Sequence, residues 1–312
     1  MSAGPRPVVL DCDPGHDDAM AIILAAASPA LDLVGITTVA GNQTLEKTTL
    51  NARRVCSVAG IVDVPVAAGC DAPLDRELTY AGEIHGASGL DGVDWEEPTV
   101  PLDERHAVDL MAQLAEAHER LTIVAVGPLT NVATLLERDP AVASRIERIS
   151  IMGGAIGLGN WTPSAEFNIH VDPEAAAIVL ASGVPITLVP LEVTHRALAT
   201  DDVIARIAAL GTPLADVSVA LMRFFADAYR DVFGFDAPAV HDPCAVAAII
   251  DPTLVPARHM NVAIELDSEL TLGETVCDVY GTTDRAPNAD VGMDLEVDRF
   301  WELMIGAIAA RG

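Results

Sequence analysis

The sequence has 312 residues, of which 51% are hydrophobic, enough to bury a sizeable core in one large α/β domain or two smaller ones. Its formal net charge of −28 argues against nucleic acid or an anionic membrane as a partner, because both require a basic surface. The same charge disfavours highly phosphorylated substrates. No apolar run approaches the roughly 18 residues that a membrane-spanning helix needs.

The N-terminus and the cysteines predict a cytoplasmic protein. Residues 1–7 hold no apolar segment of the kind that directs secretion, so we expect no signal peptide. The five cysteines are scattered, odd in number and without the spacing of zinc-binding motifs. We therefore expect buried free thiols, which are typical of a reducing compartment.

The first predicted element leads into a dense group of carboxylates. A short buried strand is expected at 8–10, a Pro-Gly turn at 14–15, and an apolar helix at 19–27. Four acids surround this turn: Asp11, Asp13, Asp17 and Asp18. They fall between the end of the strand and the first turn of the helix.

These four acids predict a bound divalent cation. The dipole of a helix stabilises acids in its first turn, which accounts for one or two of them but not for four. Like charges a few ångströms apart repel unless a positive charge lies among them. The chain offers little such charge nearby, and Lys47 is its only lysine. Ligands that are all oxygen favour Ca²⁺ or Mg²⁺.

Beyond this stretch, predicted strands and helices alternate. Strands are expected at 33–40, 64–68, 122–126, 146–152 and 186–189, and helices at 44–59, 107–121, 129–136, 173–181, 243–250 and 300–310. Residues 201–233 are mainly helical with a break at 211–213, and 69–102 form a long irregular connection. This alternation predicts a single α/β domain over residues 1–312, a mostly parallel, open, Rossmann-like sheet flanked by helices.

Polar residues follow several of these strands. Ligands of such sheets bind beyond the carboxyl ends of the strands, so one shared site is expected there. Glu166 and Asn168 lie in a loop after a glycine run, where both are equally typical of an ordinary surface loop. At 241–243, a His-Asp-Pro sequence precedes an apolar helix. We expect Asp242 to cap that helix, with its second oxygen free for a metal, and His241 to face a pocket.

Together these motifs resemble the signature of the nucleoside hydrolases of the inosine–uridine-preferring type. The sequence Asp-Cys-Asp-Pro-Gly-His-Asp-Asp at 11–18 carries the resemblance. Further motifs follow in family order at 40–42, 85–90, 127–131, 159–168 and 241–243, with a fainter match at 273–278. The resemblance implies the nucleoside hydrolase fold and hydrolysis of the N-glycosidic bond of ribonucleosides to ribose and a purine or pyrimidine base.

The resemblance also implies a tightly bound Ca²⁺. Its protein ligands would be Asp13, Asp18, Asp242 and the main-chain carbonyl of Val126, with the ribose 2′- and 3′-hydroxyls and a water completing the shell. Asp13 would also accept a proton from the metal-bound water. Residue 126 is valine where relatives often have threonine, which matters little if only the carbonyl is used.

The same motifs imply contacts with the rest of the nucleoside. Asp17 and Asn42 would bind the ribose near its 2′-hydroxyl. The 5′- and 3′-hydroxyls would be held by three residues: Asn160, Glu166 and Asn168. His241 would face the leaving base and protonate it, a role that suits a histidine near neutral pH.

The base pocket is less well specified. His85 lies in the long connection and is typical of an exposed loop histidine, but its motif places it among the substrate-binding candidates. Phe167, Tyr229, Phe233 and Phe235 are candidates to line the pocket, and each is equally typical of core packing. The preference for purine or pyrimidine therefore stays open. The resemblance implies a homodimer or homotetramer.

Two alternatives belong to other functional classes. A phosphatase of the haloacid dehalogenase type also begins with an apolar strand and Asp-x-Asp. It needs a small or hydroxyl residue after the second Asp and a downstream lysine, whereas here Pro14 follows Asp13 and Lys47 lies in a helical pattern. The other alternative is a non-catalytic nucleoside-binding relative. Asp13 and His241 argue against it, because binding alone requires neither a base nor an acid.

Overall fold

The computed structural model describes residues 4–312, except for the side chains of Glu83 and Phe233. In this part of the chain the strands are β1 (Arg6–Cys12), β2 (Leu31–Thr38), β3 (Val66–Ala68), β4 (Leu102–Asp103), β5 (Leu121–Ala125), β6 (Ile146–Met152), β7 (Ile186–Val189), β8 (Ala257–Met260), β9 (Val262–Ile264), β10 (Thr275–Cys277) and β11 (Ala289–Gly292). The helices are α1 (His16–Ala27), α2 (Leu45–Val58), α3 (Gly82–His85), α4 (Ala107–Ala117), α5 (Thr130–Arg138), α6 (Phe167–Val171), α7 (Pro173–Ala181), α8 (Leu191–Thr194), α9 (Asp201–Ala208), α10 (Pro213–Phe233), α11 (Pro243–Ile250) and α12 (Val297–Arg311).

The main sheet of the described residues has nine strands in the order β4-β3-β2-β1-β5-β6-β7-β11-β8. All neighbours pair in parallel except β8, which runs antiparallel to β11 at one edge. Strands β9 and β10 form a separate antiparallel pair. The expected mostly parallel α/β sheet is therefore confirmed.

The apolar run of β1 explains why this strand lies at the centre. Val8, Val9 and Leu10 are fully buried, as expected for a strand covered on both faces. Val8 and Leu10 join the core under α1, α2 and α9–α12, whereas Val9 joins the core under α4, α5 and α7. Among the described residues, no helix combines the length and the apolar character needed to cross a bilayer.

Caps fix the bounds of several helices where the sequence indicates them. The side chain of Asp172 accepts a hydrogen bond from the Ala175 N–H at 3.0 Å, and α7 begins at Pro173 as expected. The break predicted at 211–213 separates α9 from α10, and Thr212 caps the latter. The helix predicted through residue 121 already ends at Ala117, because Leu121 begins β5.

Parallel strands bring their carboxyl ends to one edge of the sheet. The residues that follow β1, β2, β5 and β6 meet there, and they include Asp13, Asn42 and Val126. The five cysteines are free, and three of them are buried: Cys12, Cys56 and Cys244.

Candidate functional site

A buried group of carboxylates lies where β1 passes into α1. Asp17, Asp18 and Asp242 each place a carboxylate oxygen within 4.8 Å of the other two. All three are at most 6% exposed. Asp13 adjoins them, because its backbone N–H donates to Oδ1 of Asp18 at 3.0 Å. The turn and the start of α11 thus bring together acids that lie over 200 positions apart in the sequence.

The carboxylate of Asp13 is held from one side only. Its Oδ2 accepts a hydrogen bond from the backbone N–H of Asn42 at 2.7 Å. Its Oδ1 is buried and has no hydrogen-bond partner among the described residues. A Cβ at Gly127 would lie 2.5 Å from that oxygen, so only glycine leaves room for the carboxylate here. A buried oxygen without a partner is costly unless a ligand satisfies it.

The electrostatics of the group favour a bound positive charge. Burial, and then repulsion by neighbouring acids, raises the pKa of Asp13 and of Asp242 well above the ordinary range. The same two causes raise the pKa of Asp17 to about 8. A divalent cation among these oxygens would reverse the shifts and satisfy Asp13 Oδ1. The donors are all oxygen, so the site fits a hard cation.

Asp242 does not cap α11, contrary to the sequence-based expectation. Its side chain makes no capping hydrogen bond, and its backbone is already helical, with φ −63° and ψ −40°. The carboxylate is instead turned toward Asp17 and Asp18, so neither of its oxygens is used by the helix end.

An adjoining cavity of about 690 Å³ brings most of the predicted residues together. Of the predicted site residues, it is lined by Asp17, Asn42, His85, Val126, Asn160, Glu166, Phe167, Asn168, His241 and Asp242. Asp13 and Asp18 are fully buried beside it. Sequence reasoning missed further lining residues, which are Gln43, Tyr80, Ile84, Met152, Trp161, Phe225 and Val232. Trp161 lies within the motif at 159–168, and this position is the signal in the sequence that could have placed it at the site.

Glu166 and Asn168 belong to a buried hydrogen-bond network rather than to an ordinary surface loop. Glu166 accepts hydrogen bonds from the backbone N–H groups of Gly154, Asn168 and Ile169 at 2.9–3.1 Å. Burial raises its pKa to about 7. Asn168 donates to the carbonyl of Val126 at 3.0 Å, which links this segment to the acidic group. Asn160 accepts from a backbone N–H of the same segment at 2.9 Å.

His85 is buried, not exposed as expected for a loop histidine. His85 is the last residue of α3 and is 5% exposed. Its ring packs against the ring of Phe225, with centroids 5.4 Å apart. Its Nδ1 lies 3.1 Å from Nδ1 of His16, a residue that sequence reasoning did not single out. Burial lowers the pKa of His85 well below its ordinary value.

His241 lies at the cavity wall with both ring nitrogens in contact. Nδ1 is 2.7 Å from the hydroxyl of Thr194, and Nε2 contacts the hydroxyl of Tyr229. Burial, and then the neighbouring His195, lowers the pKa of His241 to about 3. Without substrate the ring is therefore neutral at physiological pH. The sequence had suggested a histidine that titrates near neutral pH.

The aromatic candidates divide between two cavities. Phe167 and Tyr229 line the main cavity, and Phe167 packs edge-on against Trp161 with centroids 5.1 Å apart. Phe235 lines a neighbouring cavity of about 460 Å³. The side chain of Phe233 lies outside the described part of the chain.

Residues 8–302 match the family model of the inosine-uridine preferring nucleoside hydrolases. The chain is 48% identical over 306 residues to the pyrimidine-specific ribonucleoside hydrolase RihA of Photobacterium profundum, covering 97% of this chain and 99% of that relative. It is also 48% identical to RihA of Shigella boydii serotype 4 over 300 residues, 96% of each chain.

Solved structures of similar proteins agree with the family match. A purine-preferring ribonucleoside hydrolase from Gardnerella vaginalis superposes with a TM-score of 0.92 at 30% identity, covering 98% of this chain and 99% of that one. An inosine-guanosine nucleoside hydrolase superposes with a TM-score of 0.88 at 28% identity, covering 97% of this chain and 98% of that one. These likenesses leave the phosphatase interpretation without support. The chain belongs to the inosine-uridine preferring nucleoside hydrolase family, and it is an enzyme that hydrolyses the N-glycosidic bond of ribonucleosides.

Proposed function

We propose that the resident cation is Ca²⁺ and that Asp13, Asp18, Asp242 and the carbonyl of Val126 hold it. The buried oxygen of Asp13 without a partner is the observation that carries this assignment. Asp17, whose carboxylate lies in the same group and lines the cavity, would face the substrate instead. When bound, Ca²⁺ would hold the ribose hydroxyls and make a nearby water more acidic.

Asp13 would accept the proton of the attacking water. The Asn42 N–H fixes one of its oxygens, so the other is free for this role. Asp17 and Asn42 would bind near the ribose 2′-hydroxyl, since both line the cavity beside the acidic group. Positive charge develops on the sugar ring as the bond breaks, and the surrounding carboxylates would stabilise it.

Three residues would hold the 5′- and 3′-hydroxyls: Asn160, Glu166 and Asn168. Their interlocking hydrogen bonds support this role, because they keep the side chains in place before substrate arrives. Preorganised donors and acceptors lose little conformational entropy on binding.

His241 would protonate the leaving base. The ring would donate from its charged form, in which Nε2 carries a proton, and would return to the neutral form that burial favours. Nε2 contacts the Tyr229 hydroxyl at the cavity wall, so the proton would leave from Nε2 with that hydroxyl beside its path. His85 and Phe167 would contact the base, since both line the same cavity.

Pyrimidine ribonucleosides are the proposed substrates. The relatives at 48% identity are named pyrimidine-specific, whereas the protein named purine-preferring is 30% identical. The test is a panel of purine and pyrimidine ribonucleosides with release of ribose measured. Faster release from uridine and cytidine than from inosine is the expected result, and a preference for inosine would overturn the proposal.

We further propose a single-domain enzyme of nucleoside salvage in the cytoplasm. One sheet collects strands from Arg6 to Gly292, which supports a single domain. Five free thiols fit a reducing compartment. The homodimer or homotetramer implied by the family resemblance stays a prediction.

A further inference from the structure

A row of hydrogen-bond donors runs along one face of α2. Lys47 and Asn51 are four residues apart in this helix, a spacing that places their side chains on the same face. Gln43 lies four residues before Lys47 and extends the row past the start of the helix. Each of the three side chains can donate hydrogen bonds, and Lys47 is the only lysine of the chain.

The donor row meets three consecutive main-chain carbonyls of the loop that follows α3. The bonds run from Gln43 Nε2 to the carbonyl of Gly86 (3.1 Å), from Lys47 Nζ to that of Ala87 (2.7 Å) and from Asn51 Nδ2 to that of Ser88 (2.9 Å). Residues 86–91 lie outside the helices and strands, so their carbonyls need partners from elsewhere. The side chains of α2 supply them.

Lys47 also sets the orientation of its neighbour in the row. Its Nζ lies 3.1 Å from Oε1 of Gln43, and an ammonium group can only donate, so the oxygen of the Gln43 amide must face it. The amide nitrogen of Gln43 is thereby directed at the carbonyl of Gly86. Lys47 therefore acts on the loop twice, directly at Ala87 and through Gln43 at Gly86.

The loop carbonyls that the row holds come directly after a wall of the cavity. The backbone N–H of Gly86 donates to the carbonyl of Gly82 at 3.1 Å, which closes the last turn of α3. Gly82, Ile84 and His85 of this helix line the cavity. Gln43 lines it as well, whereas Lys47 is not among the lining residues. An effect of Lys47 on substrate binding must therefore pass through the segment that it holds.

We infer that Lys47 is a positioning residue that holds the end of α3 so that His85 faces the base. This inference rests on the proposed contact between His85 and the base. The loop has no regular structure of its own, and the donor row fixes it from one side. Without the ammonium group, the carbonyl of Ala87 loses its donor and the amide of Gln43 loses the partner that orients it. The end of α3 would then be held less firmly, and His85 with it.

Three single variants test this role by steady-state kinetics with the ribonucleoside that the enzyme prefers. Lys47→Met keeps the length of the side chain but cannot donate. We expect it to raise KM by about 10-fold, the lower end of what a hydrogen bond from a charged donor contributes, with kcat little changed. Lys47→Arg keeps the charge and the donors and should restore most of the loss. Glu46→Gln, at the exposed neighbouring position, is the control for a change of charge and should leave KM unchanged.

Partial unfolding of a variant would lower the apparent kcat but not KM, which reports on the folded molecules. An unchanged KM in Lys47→Met would overturn the inference. So would a KM that is raised equally in Lys47→Met and Lys47→Arg, because the donor would then not matter.

A double-mutant cycle with His85→Ala shows whether Lys47 acts through His85. Residues that act through one another are not additive, so Lys47→Met should change KM by less than about 2-fold once the His85 ring is absent. The same increase of about 10-fold in both backgrounds would give Lys47 a structural role that does not pass through His85, and would overturn the inference. A parental KM in His85→Ala alone is a different outcome. It would refute the proposed contact with the base, and the inference that rests on it.

Discussion

The backbone N–H of Asn42 donates to Oδ2 of Asp13 at 2.7 Å, and this bond decides which oxygen of Asp13 is free. The amide side chain of Asn42 also donates to the backbone carbonyl of Asp13, at 3.1 Å. The loop after β2 therefore holds the carboxylate at the end of β1. Only Oδ1 is left, and it is the atom to which we assign cation binding and water activation.

Asp13→Asn should abolish most turnover of uridine. The amide keeps the size of the side chain but cannot accept the proton, and general-base catalysis typically contributes about 10²–10⁴-fold. Steady-state kcat with saturating Ca²⁺ measures the loss, and Asp32→Asn, on the exposed part of β2, is the control. Asp13→Ala should lose more than His85→Ala, because the only role assigned to His85 is a contact with the base. Near-parental turnover of Asp13→Asn would show that another group activates the water.

One divalent cation per chain should accompany the purified enzyme. The stoichiometry follows from the single buried acidic cluster found among residues 4–312. Metal analysis of protein prepared without chelator measures it, and activity should disappear on chelation and return with Ca²⁺. Asp242→Asn should weaken Ca²⁺ binding, because its carboxylate serves no helix cap that could mask the effect. A fully active preparation without metal would contradict the assignment.

Stability without the cation should fall as the pH rises from about 6.5 to 8. The folded state raises the pKa of Asp11 to about 7 and that of Asp17 to about 8, so it holds protons that the unfolded chain has already lost. A carboxyl whose pKa is raised in the folded state contributes its full stability below its pKa in the unfolded chain, about 4. That contribution is lost as the pH rises through the pKa of the folded state. Histidines whose pKa is lowered by burial make stability depend on pH only below about 6.5, so they do not contribute to this interval.

Urea unfolding at both pH values, with chelator or with Ca²⁺, measures this dependence. The chelated enzyme should lose on the order of 1 kcal/mol over the interval, because each pKa unit corresponds to about 1.4 kcal/mol. With Ca²⁺ bound the carboxylates around the cation are already ionised, so the part of the loss that comes from Asp17 should vanish. An equal pH dependence in both samples would mean that the acids do not contact the cation.

The sequence predicts the elements whose ends are marked by local chemistry. Strand β6 and helix α7 begin and end at the predicted residues, the latter because Asp172 and Pro173 start the helix. The acids of the first turn were recognisable because four neighbouring carboxylates repel one another unless a cation lies among them. These features depend on residues that are close in the sequence.

Features that depend on distant contacts escaped prediction. His85 has the local sequence of a loop residue, and it is buried only because His16 and Phe225 pack against it. Asp242 precedes a proline and a helix, which is the pattern of a cap, but its carboxylate turns to the acids of α1. The lowered pKa of His241 has a tertiary cause as well, namely burial beside His195.

2′-Deoxyuridine should be a very poor substrate. Its missing hydroxyl is the proposed partner of the cation, Asp17 and Asn42, and all of these would be left unsatisfied. Sites built to bind a substrate hydroxyl reject the analogue without it by about 10⁴-fold. The ratio of kcat/KM for uridine to that for deoxyuridine measures the effect. Asp17→Asn should narrow this ratio. Comparable rates for the two nucleosides with the parental enzyme would refute the assignment.

His241→Ala should discriminate between substrates by their leaving group. A pyrimidine is a poor anion at neutral pH, so its departure gains from a proton, and general-acid catalysis typically contributes about 10²–10⁴-fold. Nitrophenolate is stable as an anion and needs no proton. His241→Ala should therefore lose about that factor on uridine but little on a nitrophenyl riboside.

The same pair of substrates tests the contact between His241 and Tyr229. If the proton leaves from Nε2 past the Tyr229 hydroxyl, Tyr229→Phe should also slow uridine and spare the nitrophenyl riboside. His259→Ala, with a side chain that is 60% exposed, is the control and should leave both rates unchanged. If His241 merely packs at the start of α11, its replacement lowers both rates in parallel, because it then disturbs the ribose site shared by the two substrates. A parallel fall would remove His241 as the acid, and Tyr229 would lose its place beside the proton path.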